Sequence, residues 1–131
     1  MHKSLKSEVG TCQDNQRLEF LGDAVLGLMA ANYFFKKFPD EDEGVLTALR
    51  SQITSKTPLA KIARELQLGH YLNMTLGEEK SGGRTRVSTL EDTLEALLGA
   101  TYIDGGLKAV EQVFEKIFVP RCKDMTINKW S

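Results

Sequence analysis

The chain has 131 residues, 41% hydrophobic and 27% charged, the length and balance of one globular domain with a core of its own. A formal net charge of −1 and a pI of about 6.1 exclude a generic polyanion binder, so any nucleic-acid contact must come from local basic clusters. No run approaches the roughly 20 apolar residues of a membrane-spanning helix, and the start MHKSLKSEVG lacks the apolar core of a secretion signal.

The elements predicted in chain order are all helices. Asp14 or Asn15 caps a long helix that ends before Pro39, after the basic and aromatic run from Phe34 to Phe38. Winding it at roughly 100° per residue puts Leu18, Leu21, Val25, Leu28 and Met29 on one stripe, with Phe20, Ala24 and Ala31 opposite. That leaves almost no solvated face. Asp42 and Glu43 suit the start of a second helix, whose apolar face is Val45, Leu46, Leu49 and Ile53. Thr57 and Pro58 form a cap and first-turn proline for a third, with Leu59, Ile62, Ala63 and Leu66 inside and a stop near Gly69. Ser88 and Glu91 make a capping box for a fourth, which Gly105 and Gly106 end. Leu107 to Phe118 form a last amphipathic helix stopped by Pro120, and Lys123 to Ser131 read as a frayed tail. Cys12 and Cys122 are isolated and lack CxxC spacing, the pattern of free thiols in a reducing cytosol and hence of a cytoplasmic protein.

Two acidic motifs break the apolar pattern: Glu19 and Asp23, four apart in RLEFLGDAVL, and Asp92 and Glu95, three apart in LEDTLEALLGA. Such spacings place each pair on one helix face. Glu19 and Asp23 share their strip with Gly27 and Ala30, Asp92 and Glu95 with Ala96 and Gly99, small residues that let helices approach closely. If the strips face each other, four carboxylates converge, and like charges about 4 Å apart repel by roughly 4 kcal/mol at an effective dielectric of 20. A hard cation such as Mg²⁺ or Mn²⁺ relieves this, since the donors are all oxygen with no His or Cys nearby. The competing reading is that Arg17, Arg50 or Arg86 neutralises the acids. Between the third and fourth helices, LGEEKSGGRTRVS surrounds Gly82 and Gly83 with Lys80, Arg84 and Arg86. This is either a phosphate-contacting loop or a solvated turn.

NQRLEFLGDAVL at 15–26 closely resembles the signature of ribonuclease III, and DEGVLTALRS, EEKSGGRTR and TLEDTLEALLGATYIDGG match further blocks of that family in the same order. The resemblance runs from His2 to about Val119 and implies an all-α endonuclease domain over residues 1–120, a dimeric helical bundle, with residues 121–131 as a tail. It implies a Mg²⁺-dependent endoribonuclease, with Mn²⁺ as substitute, that cuts double-stranded RNA to 5′-phosphate and 3′-hydroxyl ends. By resemblance, Glu19, Asp92 and Glu95 hold the metal directly, and Asp23 binds it through water or orients the attacking water. Glu43 matches an acid placed near the RNA, and Phe20 an aromatic that packs into a socket on the partner subunit. One or two helices usually precede the segment matching HKS, and a double-stranded RNA-binding domain commonly follows the catalytic one; Gln16 stands where the signature usually has Glu. Some relatives keep the fold as non-catalytic dimerisation or ribosome-associated modules, typically losing acids of the quartet, whereas all four are present here.

Overall fold

In the computed structural model, which describes residues 12–67, 87–123 and 125, all regular structure among those residues is helical. The long helix α1 (Cys12–Lys37) packs chiefly along the helix Val87–Val113 and also against Glu43–Thr54, while Lys56–Glu65 packs on Val87–Val113. Its buried side is Gly22, Val25, Leu26, Ala30 and Phe34, and half a turn away Phe20, Ala24, Leu28 and Phe35 are exposed around half-buried Ala31. Those five residues span an arc of about 80° at the helical period. Leu28 therefore belongs with Phe20 and not with the core, contrary to its expected stripe. The apolar run meets the length and composition of a membrane-crossing helix over Asn15–Lys37. Its two apolar faces account for that, one packed on α4 and the other presented outward.

The helix already runs at Cys12, ahead of the expected cap at Asp14 or Asn15, and ends before Pro39 as anticipated. Lys36 and Lys37 occupy its last turn, where cations suit the carbonyl end of the dipole. Lys37 Nζ donates to the Tyr33 hydroxyl (3.3 Å) and to the Cys122 carbonyl (3.0 Å), tying this end of α1 to the end of the last helix.

Helix α2 (Glu43–Thr54) starts where expected, with Asp42 Oδ1 accepting from Val45 N at 3.0 Å and Leu49 and Ile53 buried. Helix α3 (Lys56–Glu65) follows after Ser55 alone. It begins before the predicted Thr57 cap, and Pro58 falls in its first turn, where a missing N–H costs no hydrogen bond. Leu59, Ala60, Ile62 and Ala63 are its buried face; it ends at Leu66, before Gly69, with Gln67 turned to a left-handed φ of 59°.

Helix α4 (Val87–Val113) is under way one residue before the expected Ser88 cap and breaks at Gly106, whose φ of 73° and ψ of −170° end the first segment at the predicted place. A β-carbon is strained at such a φ, so glycine is required there. The chain then differs from expectation. Phe114–Phe118 forms a π-helical turn that passes into α5 (Val119–Cys122), and Pro120 lies inside this helix instead of stopping it. The wider turn relieves the clash a proline ring makes with the preceding turn. Phe114 and Phe118 stack at 5.3 Å, and Tyr33 meets Phe34 edge-on at 5.2 Å. The core is completed by Leu90, Leu94, Leu98, Val110 and the free thiol of Cys122.

Candidate active site

The acidic pairs are brought together by a backbone-to-backbone crossing of α1 and α4. A β-carbon on Gly22 would collide with the Glu95 carbonyl, and one on Gly99 with the Leu18 carbonyl. Each helix thus lays a glycine against the other's main chain. Gly99 was expected at this contact, but its partner is Gly22 and not Gly27, beside which there is open space. Such an approach carries the side chains flanking Gly22 and Gly99 to one place whatever the loops do.

Glu95 is the one buried charged residue in the described core, 8% exposed, and it shares a side-chain hydrogen bond with Asp23. Burial, followed by the nearby Glu91 and Asp23 charges, pushes Glu95 up to about 8. Glu19 is pushed up to about 7 by burial, then by Asp92 and Glu91. Burial also holds the Asp92 carboxyl above its ordinary range. All four predicted acids therefore interact at one crossing. Among the described residues, no three of them already stand as a joint ligand set for one ion; side-chain rotation would be needed to close around it. Carboxylates that repel one another splay apart, or one of them holds its proton, as the raised Glu95 does.

Glu91 is a fifth member that the sequence reading assigned only to a capping box. It is half-buried, raised by burial and by Asp92, and acts on both Glu19 and Glu95. Its position one residue before Asp92, on the same helix, was the available signal. The structure adds a counter-charge that the sequence did not single out. Among the described residues the site's ion pair is Lys56 Nζ to Glu91 Oε1 at 4.0 Å, and Lys56 moderates both Glu91 and Asp92. Neither Arg17 nor Arg50 pairs with the acids; the other described ion pair, Arg121 with Glu65, lies elsewhere.

The remaining predicted residues are distributed around this centre. Glu43 is exposed in the first turn of α2, next to the capping Asp42. Phe20 projects from α1 with 81% of its surface exposed. Lys80, Arg84 and Arg86 lie outside the described residues.

Comparison with known proteins identifies the family to which this fold belongs. A family model described as Ribonuclease-III-like matches residues 1–122. The chain is 48% identical over 121 residues to Ribonuclease 3 of Syntrophotalea carbinolica, covering 91% of this chain and 52% of that protein. It thus spans about half the length of the curated relatives it matches. The nuclease domain of ribonuclease III from Campylobacter jejuni superposes with a TM-score of 0.78 at 38% identity, covering 86% of this chain and 76% of that one. A second structure of that domain, described for flexibility in a region involved in dimer formation, gives 0.74 at 41% identity, covering 80% of this chain and 76% of that one. With a helical fold built on the α1–α4 crossing and a family match over residues 1–122, the chain belongs to the ribonuclease III family.

Proposed function

We propose that this chain is the catalytic domain of a divalent-metal-dependent endoribonuclease that hydrolyses double-stranded RNA to 5′-phosphate and 3′-hydroxyl ends, as in the maturation of structured precursors such as ribosomal RNA. The observation that carries this reading is the crossing at Gly22 and Gly99, which gathers Glu19, Asp23, Asp92 and Glu95 into one mutually repelling group.

The donor set fits a hard divalent cation. Its oxygens are all carboxylate, and the raised carboxyls of Glu19 and Glu95 mark a place where positive charge is wanted. Glu19, Asp92 and Glu95 would hold Mg²⁺, with Mn²⁺ as a substitute. When bound, such an ion lowers the pKa of water and neutralises charge on a phosphate. The protein's own contribution is positioning. Asp23, hydrogen-bonded to Glu95, accepts a hydrogen of the attacking water and aligns it with the scissile phosphorus. The helix crossing fixes the backbone that carries Asp23 without loop rearrangement, so that only its side chain has to turn.

The outward stripe of Phe20, Ala24, Leu28, Ala31 and Phe35 is the face for a second copy, with Phe20 as anchor. Two sites related by a twofold axis would cut both strands of one duplex, read by its A-form shape and 2′-hydroxyls. Glu43 and the cations Lys80, Arg84 and Arg86 are the proposed contacts to that RNA. A non-catalytic module of the same fold is disfavoured by retention of all four acids.

The test is incubation with long duplex RNA, single-stranded RNA and free nucleotides, with Mg²⁺ or with chelator. Cleavage confined to duplex RNA and to Mg²⁺ is the expected result. An inert protein would favour the non-catalytic module, and nucleotide turnover would indicate a different hydrolase.

A further inference from the structure

We propose that Lys56 is a phosphate-positioning residue, which exchanges its contact with Glu91 for a backbone phosphate of the bound nucleic acid next to the cleavage point. The inference rests on the proposed RNA cleavage and names a group that reading leaves unused.

Lys56 is the first residue of α3, on the rim of the acidic crossing, and its ammonium lies 4.0 Å from Glu91 Oε1 with 59% of its side chain exposed. That is the outer limit of an ion pair on a flexible stem in solvent, an interaction easily given up. Its partner is the better buried of the two, with 16% of the Glu91 side chain exposed, so the lysine is the group free to swing. The start of its own helix supplies no competing negative charge. α3 has no acidic residue in its first turn, and Ser55 offers its helix no side-chain cap because its hydroxyl donates backward to Ser51 O at 2.7 Å. The positive end of the α3 dipole therefore stands open beside Lys56.

What holds Lys56 at Glu91 is the excess negative charge of the crossing. A divalent cation among Glu19, Asp92 and Glu95 would cancel much of that charge. It would bring in a phosphodiester whose neighbouring phosphate needs a cation of its own. A lysine released from Glu91 supplies it as a point charge and displaces a condensed counterion.

The experiment compares wild type, Lys56→Gln, Lys56→Arg and, as a control for net charge, Lys61→Gln on the exposed side of the same helix. Steady-state cleavage of a long RNA duplex in Mg²⁺ gives kcat and KM, and binding titrations in Ca²⁺ at several salt concentrations give the salt slope. Lys56→Gln is expected to raise KM and Kd about 3- to 10-fold. It should also flatten the log–log salt slope by about 0.9, the loss of one phosphate contact, while kcat stays within about twofold. Lys56→Arg should restore most of the loss, and Lys61→Gln should differ little from wild type.

An unchanged salt slope and KM in Lys56→Gln, or a fall in kcat alone, overturns the proposal; the latter would make Lys56 a counter-charge for the acids. If wild type cleaves duplex RNA, either result removes the role of Lys56 and leaves the proposed function standing. If wild type binds duplex RNA without cutting it, the proposed function fails and the slopes still decide Lys56. A wild type that neither binds nor cuts overturns both.

Discussion

Asp23 and Glu95 meet across the α1–α4 crossing through a hydrogen bond between their carboxyl groups. Such a bond uses the proton that the raised Glu95 carboxyl holds, and that proton must leave before Glu95 can serve as a metal ligand. Metal binding should therefore release protons near neutral pH, with Glu95 at about 8 and Glu19 at about 7. Mg²⁺ affinity is expected to rise steadily from pH 6 to pH 8.5. Calorimetry in buffers of different ionisation enthalpy should detect the release, and Glu95→Gln should remove much of it. Binding independent of pH over this range would contradict the raised Glu19 and Glu95 carboxyls.

The same groups set the pH dependence of stability without metal. Their folded-state values lie above the ordinary 4.5, so between about 4.5 and 8 the folded chain holds more protons than the unfolded one. Stability from these groups is then fully present below about 4.5 and is lost as pH rises through 7 and 8. The melting temperature in chelator should fall between pH 5 and pH 9, by the equivalent of at most a few kcal/mol. Mg²⁺ should reverse the fall at the alkaline end, and Glu95→Gln should shrink it. A melting temperature that rises with pH in chelator has the wrong sign for this account.

Gly22→Ala and Gly99→Ala should each be destabilising although alanine is the better helix former. The new methyl would strike the Glu95 or Leu18 carbonyl, and neither backbone can yield without parting the helices. The expected cost is about 1–3 kcal/mol or more, read from urea denaturation. Gly27→Ala, with open space around it, should be neutral or mildly stabilising. Equal behaviour of the three variants would mean that the helices do not touch where the structure places them.

Much of this organisation was legible in the sequence because it is local. The Asp42 cap, the α2 face and the break at Gly105–Gly106 follow from side chains acting within a turn of themselves. The acid pairs were legible as pairs, since i, i+3 and i, i+4 spacing fixes a common face. Which glycine makes the crossing was not legible. Gly22 and Gly27 are equally plausible until a second helix selects one. Lys56 reaches Glu91 from an element 35 positions earlier in the chain, so no spacing rule could favour it over Arg17 or Arg50. Pro120 misled because its usual effect as a helix stop was overridden by a π turn at Phe114–Phe118.

Phe20 gives a prediction about assembly. It is 81% exposed, at one end of an outward apolar stripe that finishes with Phe35, 70% exposed. A buried aromatic anchor in an interface is typically worth about 2 kcal/mol or more. Sedimentation equilibrium should show a dimer whose dissociation constant rises at least tenfold in Phe20→Ala, with an unchanged helical spectrum. A wild type that stays monomeric at high micromolar concentration would contradict the proposed face.

The central claim is that the carboxylates gathered at the α1–α4 crossing perform phosphodiester hydrolysis. The most direct measurement is single-turnover cleavage of a long RNA duplex at saturating Mg²⁺ by wild type, Asp23→Asn and Glu95→Gln, with melting curves on the same preparations. Removing a repelling carboxylate should leave the fold as stable as wild type or slightly more so, while cleavage falls by about a hundredfold or more in each variant. Wild-type cleavage rates in both folded variants would contradict the claim.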